Sequence, residues 1–224
     1  NSNQGSFDAP WIGMALAGSG DYIIDSSTIE STDSALKASG TGTLIITDST
    51  FISDRIGMSF SGISATALDG VVVNISSDGE MGVDILQGSH TFTDLEVNMP
   101  YSQIATGSTG INAWWCEITG QDVSVNGFTN SISVYEAVLN TDDLILLDSV
   151  KQGLYAYSSM VSVNDLLETR VSDNGLVLDS SSAVIRTWGA SYHDDGGVID
   201  SESEATIWSL STLNNLYADV TGDG

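Results

Sequence analysis

Aspartate recurs at intervals of 21 to 28 residues along this chain. These regularly spaced carboxylates are its clearest candidates for functional residues. The repeat comprises Asp25, Asp48, Asp69, Asp94, Asp122, Asp143 and Asp165. If the repeats stack at the spacing of β-strands, these carboxylates lie about 5 Å apart and repel one another unless a cation or hydrogen bonds neutralise them. Calcium suits such places because it accepts about six to eight oxygen ligands in irregular geometry.

Two pairs of adjacent aspartates are the strongest candidates for metal ligands. They are Asp142 with Asp143 and Asp194 with Asp195. A second interpretation needs no ion, because an aspartate at the corner between two strands commonly bonds to the backbone of its own turn. We therefore expect that the protein requires no cofactor and that calcium is the ion it would bind.

A second group of candidate residues contains an arginine and two tryptophans. The alternation of side chains along a strand predicts that Arg186, Trp188 and Trp208 face outward, with the two tryptophans in neighbouring coils. Aromatic rings can cover pyranose rings, and arginine can form two hydrogen bonds with a carboxylate or sulfate. These residues predict a glycan-binding surface, unless an end cap or loop buries one tryptophan.

Three further residues are interpreted as mainly structural. Trp114 and Trp115 are adjacent, so in a regular strand they face opposite sides and at least one belongs to the core. The single cysteine, Cys116, is expected to be a small buried hydrophobic residue.

The elements that must position these candidates are short β-strands repeated once per coil. One strand precedes each aspartate, as in Thr43–Ile46, and a second follows it, as in Leu144–Leu147. A third begins at a small residue about nine or ten positions downstream, such as Gly57 after Asp48, where glycine permits a positive φ. The pattern predicts that Leu44 and Ile46 face inward. Such a period is typical of solenoids, and it predicts a parallel β-helix of about nine coils.

The predicted domain organisation is a single β-helix domain over residues 1–224, with coils from about 20 to 219 and an N-terminal cap over 1–19. Residues 218–224 form a tail or the start of a truncated following module. Their sequence, ADVTGDG, resembles the opening of a calcium loop of the EF-hand or dockerin type.

Composition excludes several classes of partner. The chain has 30 acidic and 5 basic residues and a net charge of −25, so its field repels nucleic acid and anionic lipid surfaces. No apolar run reaches 18 residues, so we expect no membrane insertion. An acidic surface suits a salty or divalent-rich medium, and we expect an extracellular or cell-surface location.

The repeat resembles the right-handed parallel β-helix, or pectate-lyase-like, superfamily over about Tyr22 to Asp219. That resemblance implies an all-β, right-handed parallel β-helix, but it leaves function open, because members include polysaccharide lyases, glycosidases and esterases as well as adhesins. Asn140 to Asp143 resemble the Asn-Thr-Asp segment of polygalacturonases, whereas the Gly-His-Gly and Arg-Ile-Lys segments are missing. The five basic residues are spread over separate coils and do not predict a basic groove for acidic sugars.

These residues are compatible with three functions. The favoured one is a non-catalytic structural or adhesive module of a larger surface protein, with a glycan or another surface protein as partner and with end-to-end or flanking-domain contacts. The alternative is a polysaccharide lyase or glycoside hydrolase acting on acidic polysaccharide. Ice binding ranks third, because the outward column containing Thr66, Thr91, Thr119 and Ser162 is interrupted by Ile45, Asn140 and Arg186.

Overall fold

The computed structural model of the protein consists of β-strands joined by tight corners, without helix in the part of the chain it describes. The described residues are 11–76, 79–100, 106–171, 173–191, 195–200, 202–213 and 218–222. The strands are β1 Ile12–Gly18, β2 Tyr22–Asp25, β3 Thr28–Ser31, β4 Ser34–Gly40, β5 Thr43–Thr47, β6 Thr50–Ser53, β7 Ile56–Ser61, β8 Ala65–Ile75, β9 Met81–Asn98, β10 Thr109–Asn126, β11 Asn130–Tyr135, β12 Val138–Leu147, β13 Gln152–Tyr157, β14 Met160–Thr169, β15 Asn174–Asp179, β16 Ser182–Ser191, β17 Asp195–Ile199, β18 Glu204–Leu213 and β19 Ala218–Gly222.

The strands stack in parallel to form three faces. Face A carries β1, β4, β7, the first parts of β9 and β10, and then β11, β13, β15, β17 and β19. Face B starts with β2 and β5 and continues through the first part of β8, the middle of β9 and β10, and the first halves of β12, β14, β16 and β18. Face C contains β3 and β6, the last parts of β8, β9 and β10, and the second halves of β12, β14, β16 and β18.

The fold is the predicted right-handed parallel β-helix. Face B holds nine strands joined by eight parallel steps, in agreement with the predicted number of about nine coils. Neighbouring strands in a sheet are about 4.8 Å apart, so a side chain on one coil lies directly over its counterpart on the next.

One continuous apolar core fills the interior between the faces. Leu44 and Ile46 are fully buried, as predicted, and so are Phe51, Phe60 and Phe92 from successive coils. Their neighbours in sequence face outward, because successive residues of a strand point to opposite sides. The core therefore fixes which residues of each strand reach the surface.

The corners between faces contain columns of residues with positive φ. The corner between faces A and B, here called the A–B corner, has this backbone at Gly18, Gly40, Gly62, Gln87, Trp115, Glu136, Ser158 and Ser180. The B–C corner has it at Ser26, Asp48, Gly70, Asp94 and Asp122, and the C–A corner at Gly127, Asp148 and Arg170. Aspartate, asparagine and glycine tolerate this left-handed conformation best, which explains three of the seven repeating aspartates, Asp48, Asp94 and Asp122.

The solenoid extends past the predicted coil limits at both ends. Strand β1 lies inside the predicted cap over residues 1–19, yet it pairs in parallel with β4. Likewise, β19 lies in the predicted tail over 218–224 and pairs with β17. Both segments continue the same ladder of backbone hydrogen bonds and so belong to the β-helix.

Candidate functional site

The seven repeating aspartates occupy two neighbouring columns, and the expectation of one column was wrong. Asp25 lies opposite Thr47, which lies opposite Asp69 on the next coil. Asp48, Asp94 and Asp122 lie one position later, in the left-handed B–C corner, and the strand register continues that column through Asp143 and Asp165. A repeat that varies by several residues in length hides a shift of one position, and such a shift changes the column.

Asp142 and Asp143 lie in a crowded acidic region. Asn164 Nδ2 donates a hydrogen bond to Asp142 Oδ1 at 2.6 Å. Partial desolvation raises the pKa of Asp143, and the neighbouring carboxylates of Asp122, Asp165 and Asp142 raise it further. These groups are close enough to repel, and a hydrogen bond from an amide relieves only part of that repulsion.

No three acidic, histidine or cysteine residues of the described chain are arranged to hold a metal ion together. Asp194 lies outside the described residues, and for Asp195 only the backbone, in β17, is described. Calcium binding therefore stays a prediction for both pairs.

Trp188 is fully buried, so its predicted outward orientation was wrong. Strand β16 turns the B–C corner between Arg186 and Trp188, where Arg186 and Thr187 are both exposed, and this doublet reverses the alternation that follows. The other two predicted residues remain neighbours at the surface. Arg186 and Trp208 occupy equivalent positions on adjacent coils, and Trp208 is 71% exposed.

The side chain of Trp188 meets a buried carboxyl group in the core. Its Nε1 donates to Glu168 Oε2 at 2.7 Å, and Glu168 is itself completely buried. Burial raises the pKa of Glu168 to about 8, although the hydrogen bond from Trp188 acts in the opposite direction. Glycine leaves the space that both side chains need, since a Cβ at Gly153 would lie 2.5 Å from Glu168 Oε1 and one at Gly197 would lie 2.8 Å from the Trp188 ring.

His90 is a second polar residue in the interior. Its Nδ1 lies 2.7 Å from Thr66 Oγ1, and its Nε2 lies 3.0 Å from the Gln87 carbonyl oxygen. Desolvation lowers the pKa of His90. Thr66 therefore points inward, so it was wrongly included in the outward threonine column that an ice-binding surface would need.

Five aromatic residues form a patch on face A and its A–B corner, here called the aromatic strip. It consists of Trp114 and Trp115 on β10, Tyr135 on β11, and Tyr155 and Tyr157 on β13. Trp115 lies where β10 turns the A–B corner. Trp114, Tyr135 and Tyr157 lie opposite one another on three consecutive coils. The rings of Trp114 and Tyr135 stack at a centroid distance of 4.0 Å and an angle of 8°.

Both tryptophans of the adjacent pair lie outside the core, so the expectation that one would be buried was wrong. Trp115 has φ of 53° and occupies the A–B corner, where the chain leaves the regular alternation of a strand. It is 50% exposed, while Trp114 is partly buried. Cys116, the next residue, is buried as predicted, and desolvation raises the pKa of its thiol to about 11.

Three rings of the aromatic strip are tilted relative to the stacked pair. Trp115 makes an angle of 61° with Trp114, and Tyr155 and Tyr157 make angles of 57° and 43° with Tyr135. Stacked rings cover each other's faces, whereas a tilted and exposed ring offers a face to a ligand. Trp115 and Tyr157, which is 40% exposed, are the two rings of the strip that are exposed to solvent.

Hydrogen bonds hold the polar ends of these rings. Trp115 Nε1 donates to Glu136 Oε2 at 3.0 Å, and Trp114 Nε1 donates to Asn112 Oδ1 at 3.2 Å. The Tyr155 hydroxyl donates to Asp179 at 3.4 Å, and its pKa is raised to about 12 by desolvation and by the Asp179 charge. These hydrogen bonds orient three of the five rings, those of Trp114, Trp115 and Tyr155.

Aromatic residues at the spacing of one coil are the sequence signal for this strip, which the predicted site residues do not include. Trp114, Tyr135 and Tyr157 are separated by 21 and 22 residues, which is the length of a coil. Comparison with protein families, with curated proteins and with solved structures gave no match. The candidate site therefore depends on its geometry alone.

Proposed function

We propose that this protein is a non-catalytic structural or adhesive module of a larger extracellular surface protein and that it binds glycan through the aromatic strip. The single observation that carries the proposal is the pair of exposed, tilted rings, Trp115 and Tyr157, held beside a stacked pair on neighbouring coils. Pyranose rings have apolar faces of C–H groups, which pack well on such aromatic surfaces.

The spacing of the strip supports an extended ligand. Its rings come from three consecutive coils, so they are distributed along the solenoid axis in steps of about 4.8 Å. Trp115 and Tyr157 lie two coils apart, or about 10 Å along the axis. A glycan lying along the axis would therefore contact Trp115 and Tyr157 with different sugar units.

The basic residues support a non-catalytic function for this parallel β-helix. Arg55 and Lys37 both pair with Asp33, and Arg170 pairs with Asp148. These two groups of charges lie several coils apart. The strongly shifted carboxyl group, Glu168, is enclosed in the core, where no polysaccharide reaches it. A lyase needs a base and a neutralising cation beside the same sugar.

The test is a glycan-array comparison of the wild-type protein with the double variant Trp115→Ala/Tyr157→Ala. The array should include neutral, cationic and anionic glycans. Each ring contributes apolar contact, so we expect the double variant to lose at least about tenfold in affinity. Circular dichroism should show that it keeps the β-helix, since both residues lie outside the core.

Trp208→Ala is the matched control, because Trp208 is more exposed than Trp115 and lies outside the aromatic strip. Its affinity should equal that of the wild type. If Trp208→Ala loses binding and the double variant does not, the site lies beside Arg186 and the strip is excluded. Release of unsaturated or reducing ends from uronate polymers would support the enzyme alternative.

A further inference from the structure

We infer that the aromatic strip selects a neutral, hydroxyl-rich polysaccharide and rejects uronate and sulfated chains. This inference depends on the proposed glycan-binding function and adds the class of ligand to it. Three carboxylates border the strip, two of them bonded to its rings directly and the third bonded to Asn112, which accepts from Trp114. They are Asp84, which accepts from Asn112 Nδ2 at 2.8 Å, Glu136, which accepts from Trp115, and Asp179, which accepts from Tyr155.

The charge around the strip opposes an acidic ligand. In the strands that carry the strip, β10, β11 and β13, no lysine or arginine occurs. Lys151 immediately precedes β13 and so lies at the other end of that strand from Tyr157. A polyanion would bring its carboxylates or sulfates beside Asp84, Glu136 and Asp179 without a compensating positive charge.

The hydrogen-bonding capacity points to the same class. Both indole N–H groups and the Tyr155 hydroxyl already donate to protein acceptors. The bordering carboxylates retain lone pairs, because each ionised carboxylate can accept about four hydrogen bonds. A ligand that complements this border must donate hydrogen bonds, and sugar hydroxyl groups do so, whereas carboxylate and sulfate groups only accept them.

Neutral polysaccharides also fit the physical form of the strip. The tilted rings of Trp115 and Tyr157 offer apolar contact that does not depend on ionic strength. A cationic polymer would be attracted by the net charge of −25 anywhere on the surface, and salt would weaken that attraction. Binding through the strip is therefore recognised by its persistence in salt.

The test measures binding of the intact chain to laminarin, mannan, hydroxyethyl cellulose, polygalacturonate, dextran sulfate and chitosan, at 50 mM and about 500 mM sodium chloride. We expect a neutral polymer to bind with an affinity that changes less than about threefold with salt and falls at least about tenfold in Trp115→Ala. Trp208→Ala is the control.

The remaining outcomes overturn the inference in different ways. Trp115-dependent binding confined to polygalacturonate or dextran sulfate would overturn the ligand class and leave glycan binding intact. Binding confined to chitosan and lost at high salt would show a non-specific charge effect. No binding to any polymer, while the protein is folded, would overturn the proposed function together with this inference.

A second variant tests the role of the carboxylates directly. Glu136→Gln/Asp179→Asn removes two negative charges and keeps acceptors for Trp115 and Tyr155. We expect the affinity for polygalacturonate relative to the neutral polymer to rise at least about tenfold. An unchanged ratio would show that these charges do not set selectivity.

Discussion

Glu168 and Asp143 show how single residues change the stability of this fold. Each is a carboxyl group whose surroundings disfavour its charged form, but the causes differ. Glu168 is enclosed by apolar side chains and contacts Trp188, whereas Asp143 is affected by partial desolvation and by a column of other aspartates. Both groups therefore bind a proton more tightly in the folded protein than in the unfolded chain.

The first prediction concerns the pH dependence that Glu168 causes. Its folded pKa is about 8 and its unfolded value is about 4.5, so the folded state holds an extra proton between these values. The free energy of unfolding should accordingly decrease as pH rises through this window. In Glu168→Gln we expect a higher melting temperature than wild type at pH 8 and little difference at pH 4, measured by thermal unfolding.

Glu96→Gln is the control for that experiment. Glu96 lies on the outer side of face C, where its side chain is exposed. Its variant should retain the pH dependence of the wild type. If Glu168→Gln and Glu96→Gln unfold with the same pH dependence, Glu168 is not responsible for it.

At the scale of strands and corners, the sequence was informative where alternation is regular. Thr43–Thr47 forms a strand with Leu44 and Ile46 inside, because apolar residues at every second position bury one side of a strand. Prediction failed at corners. Trp188 follows an exposed doublet, and Trp115 has a left-handed backbone, so local alternation gave the wrong side for both tryptophans.

The second prediction concerns the close approach of neighbouring coils at Gly42. A Cβ at this position would lie 1.8 Å from the Gly20 carbonyl oxygen, so the two backbones would have to separate. We expect Gly42→Ala to lower the free energy of unfolding by about 1 to 3 kcal/mol, as overpacking commonly does, measured by urea denaturation.

Gly189→Ala is the matched control. A Cβ at Gly189 would lie 3.3 Å from Leu167 Cδ1, the end of a flexible and exposed side chain. Its effect should be less than about 0.5 kcal/mol, as for most surface substitutions. Equal losses of stability in the two variants would show that contact between coils at Gly42 is not the cause, because loss of glycine flexibility in the unfolded chain acts in the stabilising direction.

For the whole molecule, stacked coils and a net charge of −25 act against each other. Each coil contacts only its neighbours, so stability is approximately the sum of the coil interfaces. The acidic columns repeat along the same axis, so repulsion between coils accumulates as well. Salt should relieve this repulsion without changing the core.

The third prediction is that sodium chloride raises the melting temperature and that Asp143→Asn reduces this dependence. Screening becomes effective between 0.01 and 1 M salt, as the Debye length falls from about 30 to about 3 Å. Calcium at matched ionic strength should add a further increase only if aspartates bind it, since a ligand stabilises the state that binds it. A melting temperature that falls with sodium chloride would contradict the repulsion argument.

The A–B corner also determines where a further side chain can be added on the surface that carries the aromatic strip. Gly62 has φ of 74°, in the same left-handed region as Trp115, and a Cβ there would lie 3.4 Å from the Gly40 carbonyl oxygen, whereas a Cβ at Gly40 would lie only 1.8 Å from that of Gly18. A side chain at Gly62 would therefore have space but a strained left-handed backbone, whereas one at Gly40 would also clash with the neighbouring coil. One substitution at such a corner adds an outward group without repacking the interior.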